Sequence, residues 1–421
     1  MVTQRVRQAF LTGLGHHVTL ASRVAMKPPV VHPFLPRFLA STSSAPDTPP
    51  STDRLDWDSL AREAITQGVG AIFYNRLQDS GLHRQVPSSL LDQLKTYTLS
   101  LAARNLAASR ELTAILQGFQ NSGVACLPIR GLALSEQLYG DLTARPTGDL
   151  DLLVRREALP NTARILRALG FSEIDRRPGF AQTYSHTLEF CKDNGRAFLV
   201  EPHWTVAYPP FADRIDMNGV WARCRTGPFL GMDTSLLSDE DSLLHLCFHL
   251  IHKQDVAPLL WFYDLHCLIR QRGNALDWAL IALNAAQSGR AALVCEVLGI
   301  VKSLFNTPIP DEIFSRLTAP STTSTERPAG GFAERLAERL DASTSPLEVR
   351  ESLSLLLTIK GVRAKLRYVL AIFFPSPEFM RHQYCSANGV QLSLHYLVRA
   401  CTFTWQGIRG IGSVIRPRKG H

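Results

Sequence analysis

Apolar residues recur at helical spacing through most of the chain and shorten to strand-like runs in one stretch. From Leu55, LDWDSLAREAITQGVGAIFYNRLQDSG has the helical repeat, with Asp53 as the expected N-cap and Gly68 as a break. A long helix is predicted from Ser88 to Asn121, stopped at Ser122-Gly123. Over 124–204 the pattern changes. VACLPI reads as a strand, Arg130-Gly131 as a turn, LALSEQLYG as a helix, and DLDLLV as a second strand after an Arg-Pro-Thr-Gly turn. EALPNTARILRALGF is a helix ending at Gly170, and TYSHTLEFC and RAFLVEPHW are two strands flanking an Asp193-Asn194-Gly195 hairpin turn. Helical spacing returns over 238–310, opening with a Ser238 cap followed by acids. Residues 319–332, rich in Thr, Ser, Pro and Gly, read as a linker, and amphipathic helix continues from about 335 to 415, interrupted at Pro375 and Pro377. The order strand, helix, strand, helix, strand, strand predicts a small α/β (α+β) core with a mixed sheet, flanked by helical regions on both sides. The expected divisions are an extension (1–52), a helical front (53–123), the core (124–235), a helical region (236–310), the linker (319–332) and a C-terminal helical region with a basic tail (333–421).

Charge separates the ends from the middle. The 421 residues carry 45 Lys and Arg against 37 Asp and Glu, a net charge of +8. Residues 1–50 hold five basic residues and one acid, and 361–421 hold nine and one, so the ends carry +4 and +8 and residues 51–360 carry −4. The basic C-terminus admits peripheral contact with an anionic membrane beside the plainer reading of a solvated tail. Nucleic acid is disfavoured as a partner, because the core is net acidic and lacks a basic surface interleaved with aromatics. Residues 1–52, Arg-containing and ending in STSSAPDTPPST, resemble a transit peptide or a flexible extension and are expected to be poorly ordered. No run of 18 uncharged apolar residues occurs, so no transmembrane span is expected. The eight cysteines form no CxxC pair, which argues against a disulfide framework or zinc ribbon and for a reducing, cytoplasmic setting.

Candidate chemistry concentrates in the α/β stretch. Strand alternation places Asp149 and Asp151 on one face, where two carboxylates can share hard divalent ions. Acids in an otherwise apolar strand cost desolvation energy that a cation would offset. Glu201, inside FLVEPHW, is the candidate third carboxylate, and His203 shares its face, to contact phosphate, orient a carboxylate or simply pack. Gly131 sits where a strand turns into a helix, so a phosphate can approach the backbone, with Arg130 and Arg145 adding positive charge and Gly148 preceding the acids. A lone Asp-x-Asp is common at strand entrances; the upstream turn and downstream carboxylate make this one informative. Replacing either aspartate by asparagine relieves a like-charge pair and is expected to leave stability unchanged or higher. His245, His249 and His252 share a helix face and admit zinc, but the interleaved Leu and Phe and the lack of HExxH favour packing. Asp264 reads as a helix-packing contact or an acceptor-pocket residue, and Tyr184 and His186 have no assigned role.

The stretch LPIRGLALSEQLYGDLTARPTGDLDLLVRREALPNTARILRALGF resembles the polymerase-β-type nucleotidyltransferase superfamily. More narrowly, the chain resembles a bacterial "nucleotidyltransferase family protein". The features shared with it are the helical front, Arg-Pro-x-x-Asp-x-Asp-x-Leu-Val, Glu-x-His-Trp, the histidine-rich helix DSLLHLCFHLIHK and the aromatic-Asp helix LLWFYDLHCLI. The likeness covers roughly 55–310, with a weaker trace near 374–380. It implies Asp149, Asp151 and Glu201 as catalytic carboxylates holding Mg²⁺ or Mn²⁺. Arg130, Gly131, Arg145 and Gly148 would lie on the nucleotide side. The implied reaction transfers an NMP from an NTP to an unidentified acceptor hydroxyl and releases pyrophosphate. Two departures stand out: Arg130 replaces the family's lysine, and Leu132 replaces the serine of the superfamily's Gly-Ser form. They keep open the alternative of a non-catalytic nucleotide- or partner-binding module.

Overall fold

The computed structural model describes residues 26–41, 55–193, 197–209, 211–254, 256–319, 347–384 and 389–415. The helices are α1 (Phe34–Ala40), α2 (Trp57–Thr66), α3 (Gly70–Asp79), α4 (Ser88–Asn121), α5 (Leu132–Tyr139), α6 (Leu159–Ala168), α7 (Phe180–Tyr184) and α8 (Met217–Arg223). They continue as α9 (Asp239–His252), α10 (Leu259–Arg272), α11 (Trp278–Gln287), α12 (Ala291–Phe305), α13 (Asp311–Thr318), α14 (Leu347–Thr358), α15 (Val362–Phe373), α16 (Pro377–Tyr384) and α17 (Gly389–Ile415). The strands are β1 (Cys126–Pro128), β2 (Leu150–Val154), β3 (Ser172–Glu173), β4 (Phe190–Asp193), β5 (Ala197–His203), β6 (Arg225–Phe229) and β7 (Met232–Leu236).

The first five strands form a mixed sheet in the order β1-β2-β5-β4-β3, with β2 and β5 parallel and the other pairs antiparallel. The fold is thus the mixed α/β class that the pattern predicts. Strand β2 is buried on both faces. Leu150, Leu152 and Val154 enter a core shared with Leu112, Ile115 and Phe119 of α4 and Leu166 of α6, while Leu153 packs on the opposite face with Leu127, Ile129 and Trp221. Asp151, between them in the alternation, therefore lies on the Leu153 face.

Helix α4 ties the sheet to the rest of the molecule. Its first half places Leu90 and Leu94 in a large helical core shared with α1–α3 and α9–α13, and its second half backs the sheet. The front helices and α9–α13 therefore pack together around α9 and α10.

Several elements differ from expectation. Helix α1 falls inside the segment expected to be poorly ordered, yet it buries Phe34, Leu35, Phe38 and Leu39, because FLPRFLA presents a continuous apolar face. The N-cap of α2 is Asp56, which accepts from the Ser59 N–H at 3.0 Å; Asp53 lies outside the described residues. Only the end of TYSHTLEFC is strand. Its start is α7, where Phe180 and Tyr184 meet one turn apart and close on Tyr368 of α15, which stacks on Phe180, so an aromatic cluster outweighs local strand propensity. The hairpin β6–β7 turns at Leu230-Gly231, both with positive φ, a geometry whose usual Asn-Gly signal the sequence lacks. Residues 1–25 and 42–52 of the extension, most of the expected linker and the extreme basic tail lie outside the described residues.

Candidate active site

Strand register builds the site. In the parallel β2–β5 pair Asp151 lies beside Glu201 and Leu153 beside His203. Neighbours in a parallel ladder point the same way, so Asp151, Glu201 and His203 project together from one face. Their donor atoms lie within 4.8 Å of one another, a group able to hold a metal ion. The structure thus brings together two of the three expected carboxylates, from strands 50 residues apart, and adds the histidine. Asp149, just before β2 and half-buried, is outside that convergent group but close enough to act on Glu201.

The carboxylates differ sharply in proton affinity. Burial would raise Asp151, but Arg130 and His203 outweigh it and hold its carboxyl well below the usual range. Asp151 Oδ1 accepts from Arg130 Nη2 at 2.5 Å and from His203 Nε2 at 3.0 Å. An ionised carboxylate only accepts, so His203 carries its proton on Nε2 and donates it to Asp151. Glu201 is raised well above its ordinary value, by burial first and then by Asp149 and Asp151. Burial and neighbouring carboxylates thus leave negative charge on Glu201 unfavourable despite the nearby Arg130, and a divalent cation would relieve it.

Arg130 is held from behind. Its Nη1 donates to the Tyr208 hydroxyl at 3.2 Å and reaches the ring of His249, and Tyr208 itself lies 2.6 Å from His249 Nδ1. Burial and the Arg130 charge push His249 well below its ordinary value, so its ring is neutral and accepts from the guanidinium. The three histidines of α9 therefore do not act as a set. His249 supports Arg130. His245 is buried, bonded through Nδ1 to the Val206 carbonyl at 2.8 Å, and His252 stacks on Tyr208.

Gly131 stands next to this group with φ +51°, and a Cβ there would lie 3.0 Å from Thr147 Cγ2 and 3.2 Å from the Asp149 carbonyl oxygen. Both the backbone angle and the close approach of the Asp-x-Asp segment require glycine. The Thr147 hydroxyl is buried with no hydrogen-bond partner. Nothing in its local pattern marks Thr147, and Tyr208 lies outside every predicted element. Gly148 is exposed, with open space around the position of a Cβ.

Arg145, expected to face phosphates, is committed elsewhere. Its Nε and Nη2 grip Asp264 of α10 at 2.9–3.1 Å, Nη1 donates to the Pro146 carbonyl, and Tyr139 donates to the same carboxylate at 2.7 Å. Asp264 is fully buried, so this is an internal ion pair that anchors the turn before β2 to the helical core. A motif shows which residues are charged but not that the opposite charge waits on a helix 119 positions later.

A mixed sheet carrying a glycine turn, an Asp-x-Asp strand entrance and a third carboxylate on the neighbouring parallel strand defines a nucleotidyltransferase-type core. The sequence matches the family described as "Uncharacterised nucleotidyltransferase" over residues 53–306, and the chain belongs to that family. No curated protein matches it. The matched region takes in the front helices, the sheet and most of the helical core that holds Asp264 and His249.

Proposed function

We propose that the chain transfers a nucleoside monophosphate from a nucleoside triphosphate to an acceptor hydroxyl, releasing pyrophosphate. The observation that carries this reading is the parallel register that sets Glu201 beside Asp151, next to the Gly131 turn. Asp149, Asp151 and Glu201 are the residues to hold Mg²⁺ or Mn²⁺, with His203 orienting Asp151. An ion bound there would neutralise phosphate charge and lower the pKa of the acceptor hydroxyl. Gly131 and the start of α5 would receive the phosphates through backbone N–H groups. The Thr147 hydroxyl would supply the contact that Leu132 cannot, and exposed Gly148 would leave the approach to Asp149 open. Arg130 would offer the triphosphate a guanidinium, and Glu201, with its raised proton affinity, suits receipt of the acceptor's proton. The pocket lined by Tyr208, Phe211, Phe248, His252 and Arg290 would take the acceptor.

One observation favours a second reading. Arg130 already neutralises Asp151 at 2.5 Å, so the site has a built-in cation and would serve a protein that binds nucleotide without transferring it. Calorimetric titration with each NTP, with and without Mg²⁺, beside a pyrophosphate-release assay over an acceptor panel, separates the two. Mg²⁺-dependent binding with release, both lost in Asp149→Asn, supports transfer. Binding with no release on any acceptor supports the second reading, and no nucleotide binding at all overturns both.

A further inference from the structure

Away from the site, α15 and α17 each turn an apolar stripe to solvent. Val362, Leu366 and Leu370 recur every fourth residue on α15 and are 83%, 59% and 47% exposed, followed by exposed Phe374. On α17, Leu394, Leu397, Val398 and Trp405 lie on one face and are 50–65% exposed. The opposite faces are satisfied: Tyr368, Ala371 and Ile372 are buried, as is Arg399, whose Nε donates to the Ile372 carbonyl at 2.9 Å and joins the two helices. Among the described residues, eight of the thirteen large apolar side chains that stand most exposed belong to this pair and to Phe374 at the end of α15. A scatter of single exposed apolar residues is ordinary, but helical stripes concentrated on two touching helices are not.

We infer that α15 and α17 form a docking face for an anionic lipid bilayer surface. Charge selects this occupant. Residues 361–421 carry nine basic residues and one acid, and Arg363, Lys365 and Arg367 interleave the stripe of α15. Apolar side chains beside Lys and Arg, with a tryptophan at the rim, suit the boundary between headgroups and acyl chains. Anionic headgroups attract each basic residue held near the surface, so the contacts add along the helix. A second copy docked on this face would set +8 against +8, and nucleic acid would leave the leucines unused. No helix among the described residues is long and apolar enough to cross a membrane, so the contact is peripheral.

The test is flotation of the full chain with vesicles of phosphatidylcholine alone or mixed with phosphatidylserine. The chain should float with the anionic vesicles, weakly with the neutral ones, and less as salt rises. A blue shift of tryptophan emission on binding should be smaller in Trp405→Phe. Leu366→Glu combined with Leu397→Glu, and separately Arg363→Glu combined with Arg367→Glu, should each weaken binding about tenfold or more while the melting temperature holds. The second pair keeps the test decisive if the first variant misfolds. No flotation with anionic vesicles overturns the inference. So does a dimer in solution that the leucine variant converts to monomer, since a second copy would then be the occupant.

Discussion

Asp149 and Asp151 look equivalent in the chain and are not equivalent in the molecule. Asp151 is buried between Arg130 and His203, whereas Asp149 is half-buried and adds to the negative charge around Glu201. The two asparagine variants should therefore part company, against the expectation that both leave stability unchanged or higher. Asp151→Asn leaves the Arg130 guanidinium buried without its counter-charge and should cost about 3 kcal/mol. Asp149→Asn removes a repulsion on Glu201 together with part of the attraction to Arg130, and should cost less than Asp151→Asn, while Glu201 shifts toward ordinary carboxylate behaviour. Urea unfolding of the two variants side by side checks this. Equal stabilities would mean that Arg130 and Asp151 are not paired in solution. Arginine also does here what lysine cannot, since one planar fork reaches Asp151 with one nitrogen and Tyr208 with the other.

Among the elements, the turn between α5 and β2 illustrates how an apparent site residue becomes a structural one. Arg145 and Asp264 join that turn to α10, with Tyr139 of α5 on the same carboxylate. Arg145→Ala leaves Asp264 charged and fully buried, an arrangement that costs about 3–5 kcal/mol. The folded fraction should bind NTP with unchanged Kd, because the guanidinium does not face the Gly131 turn. A variant of normal stability with a raised nucleotide Kd would return Arg145 to the phosphates. The β2–β5 pair carries the converse lesson. Its hairpin partner β4 is legible from Asp193-Asn194-Gly195, but its parallel neighbour β2 is not, because a turn fixes only the pairing of the strands it joins.

For the whole molecule, the buried histidines around the site make stability depend on pH. Burial lowers His186, His203, His245, His249 and, in the helical core, His266, with His245 pushed down to about 3 and His266 to about 4. The unfolded chain takes up these protons near pH 6.5, at about the free imidazole value, while the folded chain does not. Stability is therefore full above that pH and falls below it, by up to about 1.4 kcal/mol per histidine per pH unit. Glu201 works in the opposite sense. Its raised affinity favours the fold as pH falls toward its ordinary value of about 4.5, so one carboxyl offsets part of the loss from the buried imidazoles. The melting temperature should be lower at pH 5 than at pH 7.5. A flat or rising profile would show that these rings are hydrated or already protonated in the fold.

Local pattern determined much of this protein. The long helix Ser88–Asn121, the Ser238 cap, the strand around Asp151 and the glycine turn at Gly131 were all legible, because periodicity, capping and turn chemistry are properties of neighbours in the chain. The resemblance to the family was legible for the same reason, being carried by short motifs at fixed spacing. Tertiary structure alone decided which charges meet. It gave Arg130 to Asp151 and His249, gave Arg145 to Asp264, seated α1 in the helical core, and left α15 and α17 with apolar faces in water. Those outcomes depend on how buried surface and desolvated charge balance in three dimensions: Arg130 and His249, like Arg145 and Asp264, are 119 positions apart, and even the 21 positions from Arg130 to Asp151 carry no local signal that the two side chains meet.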